Sequence, residues 1–135
     1  MSDGEPRLPP FARALGLRLA GTRGGMPVLA MDFGDHVLGR PGFVHGGALG
    51  GLLEIAALTA LEQALAARGE PLPRLKPVNV NIEFVRGARA ETVHAVGHVT
   101  RAGRRIANVS AEAWQDDPAK PVATAWLNVL LAAKG

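Results

Sequence analysis

The chain of 135 residues contains no cysteine. That excludes a disulfide, a thiolate nucleophile and any cysteine-ligated metal, and it fits a reducing cytoplasm, the expected location. Tyrosine is absent, and there are only four phenylalanines and two tryptophans, too few for the stacking platforms on which single-stranded nucleic acid rests. Lysine is scarce, three against twelve arginines, and the net charge is a modest +3. With no DNA-binding motif among those arginines, nucleic acid is not expected as a partner. The four histidines are scattered without ligand spacing, so no metal and no other cofactor is expected. An apolar leader is missing too: residues 1–10 are acidic, basic and proline-bearing, which predicts no signal peptide.

What is present is ordinary for a globular protein: 47% of residues are apolar and 20% charged, so disorder is expected only at the ends. The length suits one domain with one core. We expect a flexible N-terminus over 1–9 and a single domain over 10–133. Residues 43–67 are the only stretch apolar enough to suggest a membrane span. They carry His45, Glu54, Glu62 and four glycines, and a carboxylate inside a bilayer is expensive. The stretch therefore reads as a buried helix, with no membrane as partner.

Pro9-Pro10 leads into a short helix through Leu15, with proline tolerated in the first turn. Residues 17–21 and 26–33 read as a hairpin around Thr22-Arg23-Gly24-Gly25. From Gly46 to Ala67 the chain is rich in alanine and leucine, both strong helix formers. Apolar residues cover almost the whole circumference from Ala48 to Leu61, so this helix should be enclosed by protein. Gly69 and Pro71 stop it. Four segments alternate thereafter: 77–85, 91–101, 104–115 and 122–131. In the first, Val78, Val80, Ile82 and Phe84 share a face opposite Asn79, Asn81 and Glu83. Short turns between the four predict an antiparallel meander. A single hydrophobic helix needs a sheet curved around it, which makes the expected class α+β, a hotdog fold.

Glu54 is the only charge between Gly46 and Leu61. A carboxylate among apolar residues needs a partner or a role; bonding to a strand is the plainer explanation, catalysis the sharper one. His45, Gly46 and Gly47 stand where the helix begins. The first N–H groups of a helix lack internal partners and point outward with positive partial charge. That is a ready oxyanion site, and glycine lets a carbonyl approach it. Gly47 and Glu54 share a helix face but lie roughly 10 Å apart along the axis. One carbonyl group cannot touch both within a chain. Two such helices antiparallel about a two-fold axis would bring Gly47 of one to Glu54 of the other.

His45-Gly46-Gly47, with an acidic residue nine positions after the histidine, resembles the PaaI-like (phenylacetate-degradation) branch of the hotdog thioesterases. The run VNVNIEFVRGARA from Val78 and the hairpin TRAGRRI from Thr100 are similar to that family's later strands. The resemblance covers about residues 10–133. It implies hydrolysis of an acyl-CoA to a free acid and CoA, by a homodimer or a tetramer made of two dimers. Glu54 would be base or nucleophile, Gly47 the oxyanion donor, and His45 would orient the carbonyl or the Gly47 peptide. Gly46, Arg86, Arg89 and Arg104 would contact substrate, the arginines at CoA phosphates, and Leu49, Leu52 and Leu53 would shape the acyl pocket. Two positions depart from the family: Gly39 stands where many relatives carry asparagine, and Pro77 where some carry serine or threonine. The alternatives are a 3-hydroxyacyl-thioester dehydratase or hydratase, for which residues 36–41 (HVLGRP) offer a faint match, and a non-catalytic acyl-CoA-binding module.

Overall fold

The computed structural model describes residues 6–133. The elements are α1 (Pro10–Ala14), β1 (Leu17–Arg23), β2 (Met26–Met31), a 3-10 turn (Asp35–Val37), α2 (Gly46–Ala66), β3 (Arg74–Phe84), β4 (Val93–Ala102), β5 (Ile106–Trp114) and β6 (Ala123–Ala132). The strands form one antiparallel sheet in the order β1-β2-β4-β5-β6-β3, with α2 lying chiefly on β4 and β5. This is the expected hotdog fold. Of the N-terminal segment 1–9, residues 1–5 fall outside the described residues, and Leu8 rests against the core.

β1 and β2 are joined by Gly24 and Gly25 at φ 60° and 80°. A two-residue hairpin turn with both centres left-handed favours glycine. The later strands depart from the expected meander. β4, β5 and β6 follow one another, but β3 pairs with β6 and closes the sheet on that side. Residues 85–92 are the reason. Instead of turning tightly they run over the end of β5 and β6, where Val85 N and Arg86 N donate to Val122 O at 2.9 and 3.2 Å. β3 also starts three residues earlier than the alternation suggested. Its register shifts between Pro77 and Asn79, which makes Val78 the extra residue, 59% exposed. Val78 thus drops out of the stripe that Val80, Ile82 and Phe84 still form.

Leu52, Leu53 and Leu61 of α2 are fully buried, each worth roughly 1.5–3 kcal/mol. Thr59 is the buried polar residue among them, and its Oγ1 donates to Ile55 O at 2.7 Å. The helix touches the sheet most closely at Gly97 of β4. A Cβ there would overlap Ala56 O and lie 2.8 Å from Ala57 Cα and Ala60 Cβ, so small residues on both sides set the spacing. The far half of α2 is tied down by Gln63 Nε2 donating to Gly25 O (2.9 Å) and Arg68 donating to Ala102 O (2.7 Å).

α2 is not enclosed on all sides, contrary to expectation. Gly47, Gly50, Gly51, Glu54, Leu58 and Glu62 stay partly or fully exposed, and their spacing makes one stripe along the axis. By length and composition the helix could span a bilayer; here its other faces pack on protein.

Candidate active site

The loop before α2 is pinned on both sides. His45 N donates to Val37 O (2.7 Å), Val44 N to Ala88 O (2.9 Å) and Gly39 N to Phe43 O (2.9 Å). His45 caps the helix from an extended backbone, and its Nδ1 accepts from Gly47 N at 2.8 Å. An accepting Nδ1 is unprotonated, so the ring carries its proton on Nε2. Ala48 N and Leu49 N both donate to His45 O, at 3.0 and 3.1 Å. Gly46 is the first helical residue and has no acceptor behind it; among the described residues its N–H is the one left open at this end. The two glycines therefore differ from the expectation. Gly47 N–H is held by the histidine, whereas Gly46 N–H faces outward.

Gly46 borders a cleft of about 520 Å³ whose walls include Gly39, Arg40, Phe43, His45, Phe84 and Arg86. The Arg40 guanidinium stacks 4.1 Å above the Phe43 ring, a cation–π contact that holds the charge at the cleft wall. Neither residue was singled out from the sequence. Their position directly before His45-Gly46-Gly47 was the available signal. Gly39 has a local cause: a Cβ would sit 2.9 Å from His45 Cα and 3.2 Å from His45 N. An asparagine here would press on main chain, so position 39 supplies no side chain toward the helix start. Pro77 pairs with Val129 in the β3–β6 ladder and is exposed.

Glu54 lies on the open stripe, half-buried, and no hydrogen bond or ion pair engages it among the described residues. Its neighbourhood follows from a register. A Cβ at Gly46 would sit 3.5 Å from the Phe84 ring, and one at Gly50 2.9 Å from Ile82 Cδ1. α2 thus runs antiparallel to β3, four helical residues (about 6 Å) matching two strand residues (about 6.6 Å). One further step sets Glu54 beside Val80.

The other expected site residues are scattered. Arg86 reaches the cleft. Arg89 lies beyond it, its backbone N–H and C=O bracketing the Gln115 amide at 3.0 and 2.9 Å. Arg104 sits in the β4–β5 turn with Arg105, close to Arg101 at the end of β4, lining separate clefts toward the C-terminal end of α2. The three arginines do not converge. Leu52 and Leu53 are core, and of the expected acyl-pocket leucines only Leu49 borders the cleft. His36 packs against Gly16 and Gly34, where added Cβ atoms would meet its ring at 3.1 and 2.9 Å. It is not among the residues lining the cleft, which leaves the dehydratase motif without its histidine at the site.

A family model described as the acyl-CoA thioesterase N-terminal domain matches residues 38–128. Among solved structures, the chain is similar to a phenylacetic acid degradation-related protein of Ralstonia eutropha JMP134, assigned as a thioesterase. The two share 29% identity over 95% of this chain and 94% of that one, with a TM-score of 0.74. A Chromobacterium violaceum protein is 33% identical over 91% and 83% of the two chains, with a TM-score of 0.72. A thioesterase of Haemophilus influenzae is 19% identical over 91% and 82%, with a TM-score of 0.78, a likeness of fold. A search of curated proteins found no match. A match across two thirds of the sequence, on a six-stranded sheet with one long helix, means that this chain belongs to the acyl-CoA thioesterase family, in its hotdog form.

Proposed function

We propose that the protein hydrolyses an acyl-CoA at a site shared by two copies of the chain, with Glu54 of one facing Gly46 of the other. The observation that carries this reading is the pairing of an unengaged carboxylate with an unengaged helix N-terminal N–H on one open side of α2. They lie about 12 Å apart along the axis, too far for one carbonyl and right for a two-fold dimer. The axis would pass at the level of Gly50 and Ile82, midway between them. β3 supports the same dimer: it is an edge strand of eleven residues with Val78 and Phe84 exposed, a template for antiparallel pairing with its twin.

In the reaction, Glu54 takes a proton from water as the water oxygen bonds to the thioester carbon. The oxygen that becomes negative is met by the Gly46 N–H of the partner's helix, backed by the helix dipole. Collapse breaks the C–S bond, and the departing CoA thiolate takes the proton back from Glu54. His45 fixes the first turn through Gly47, so it acts as a positioning residue. Arg40 and Arg86 suit the phosphates of CoA. A chain without cysteine performs this chemistry unchanged in a reducing cytoplasm.

Mixing two inactive variants tests the shared site. Glu54→Ala removes the base. Gly46→Val covers the N–H, and its first carbon fits beside Phe84. With free subunit exchange, half the dimers are mixed and each has one intact site, so activity returns to about a quarter of wild type. No recovery, with exchange verified independently, rules the shared site out. Turnover of 3-hydroxyacyl-CoA by loss of water would instead favour a dehydratase, and binding without turnover a non-catalytic module.

A further inference from the structure

Resting on the hydrolytic reading above, we infer that the acyl chain lies in a second cleft along α2, and that this cleft selects unbranched aliphatic acyl groups of medium length. The cleft holds about 400 Å³, within the size range of small-ligand sites. Ile55 and Leu58 of α2, Leu72 just before β3 and Leu75 within it, and Leu8 and Pro9 of the N-terminal segment form its apolar walls.

Leu58 is one turn beyond Glu54 on the open stripe, so the cleft's wall begins one turn from the carboxylate. The opposite end is charged. Glu62 lies two turns from Glu54, and Arg74 lines the same cleft. Glu62 and Arg7, also on the wall, are each engaged by other groups, so this end is polar and tethered. A methyl terminus must stop short of it. About 12 Å separates the levels of Glu54 and Glu62, room for an extended chain of roughly eight to ten carbons.

The two clefts divide the substrate by chemistry. The one at Gly46 carries Arg40 and Arg86 and suits an anionic carrier. The one beyond Glu54 presents aliphatic side chains toward the reaction centre. Among the described residues no aromatic side chain lines it, so an arylacetyl ring finds no stacking partner there, while leucine walls suit a flexible chain.

The test compares kcat/KM for short, medium and long straight-chain acyl-CoAs and phenylacetyl-CoA, on wild type, Leu58→Phe and Leu72→Phe. Wild type should favour the medium chain over phenylacetyl-CoA. Each variant narrows the cleft from an opposite wall and should lower the medium-to-short ratio roughly 10-fold, the discrimination of a methylene or two in an apolar pocket. Glu62→Leu should move the optimum to longer chains. An unchanged ratio in folded, dimeric variants overturns the inference, as does a wild-type preference for phenylacetyl-CoA. Conversion of both phenylalanine variants to monomers would assign the cleft to a second copy of the chain and overturn it as well. If wild type hydrolyses no acyl-CoA, the catalytic reading has failed separately. Affinities for non-hydrolysable alkyl-CoA thioethers then decide the cleft, with the same roughly 10-fold shift expected.

Discussion

The two edges of the sheet are built in opposite ways. β1 has seven residues, an irregularity between Leu19 and Thr22, and Arg18 locked to Asp32 at 2.9 Å. Short length and surface charge keep an edge strand from recruiting another chain. β3 has eleven residues, with Pro77 to Ile82 free of charge and Val78 and Phe84 exposed. The open stripe of α2 borders β3 at Gly50, beside Ile82, while Phe11 of α1 and Leu15 just after it cover part of it at Gly51, each 2.9 Å from an added Cβ. On the proposed reading, the difference places reactivity and association on one side of the molecule.

The sharpest way to break that contrast is at Glu54. Glu54→Gln should lower acyl-CoA hydrolysis by about 10²–10⁴, the usual worth of a general base, with the fold unchanged by circular dichroism. Arg18→Ala on the other edge should leave turnover near wild type. Similar losses from both would dissolve the contrast.

Association can be probed in the same paired manner. Val78→Lys places a charge on the bare edge and should convert the dimer to monomer by sedimentation, taking hydrolysis with it. Leu19→Lys on β1 should leave the mass as it was. If the β1 variant dissociates and the β3 variant does not, the wrong edge has been assigned.

Gly97 lies between the edges and serves as a control for effects felt everywhere. Gly97→Ala should cost about 1–3 kcal/mol by overpacking, read from urea unfolding, because the backbone at Ala56 and Ala57 has little room to yield.

The smallest effect belongs to the ion pair on β1. Hydrogen bonds from Arg18, and then from Thr92, lower the Asp32 carboxyl from 3.8 to about 2. A lowered folded-state value means the stabilisation is complete above the unfolded value and fades as pH falls from about 4 toward about 2. Both side chains are half-exposed, so the contribution is small. The stability gap between wild type and Arg18→Met should be widest near neutrality and vanish by about pH 2; a constant gap would deny the pair this role.

The long helix was legible because alanine, leucine and its terminal signals act locally, as do the alternating strands. The glycine-rich turn at Gly24-Gly25 was legible for the same reason. β3's neighbour was not: alternation reports which face a residue takes, never which strand lies alongside, and the route of residues 85–92 depends on Val122. Glu54 and the helix start stood out as chemistry out of place. Which glycine keeps its N–H was hidden, because it depends on where the His45 ring turns. The empty position at Gly39 became intelligible only when the loop was seen against His45.

That contact bears on how such a site changes over generations. No residue larger than glycine fits at position 39 without moving the main chain, so a single codon change there cannot add a polar group beside the thioester. The N–H at Gly46 is main chain too, and no codon change short of proline can delete it. In the proposed site the helix start rests on side chains that must stay absent and the base on one, Glu54, that must stay, whereas the leucines and arginines of the clefts can be exchanged one at a time. New substrates are therefore reached by rewriting the clefts around a centre that stays the same.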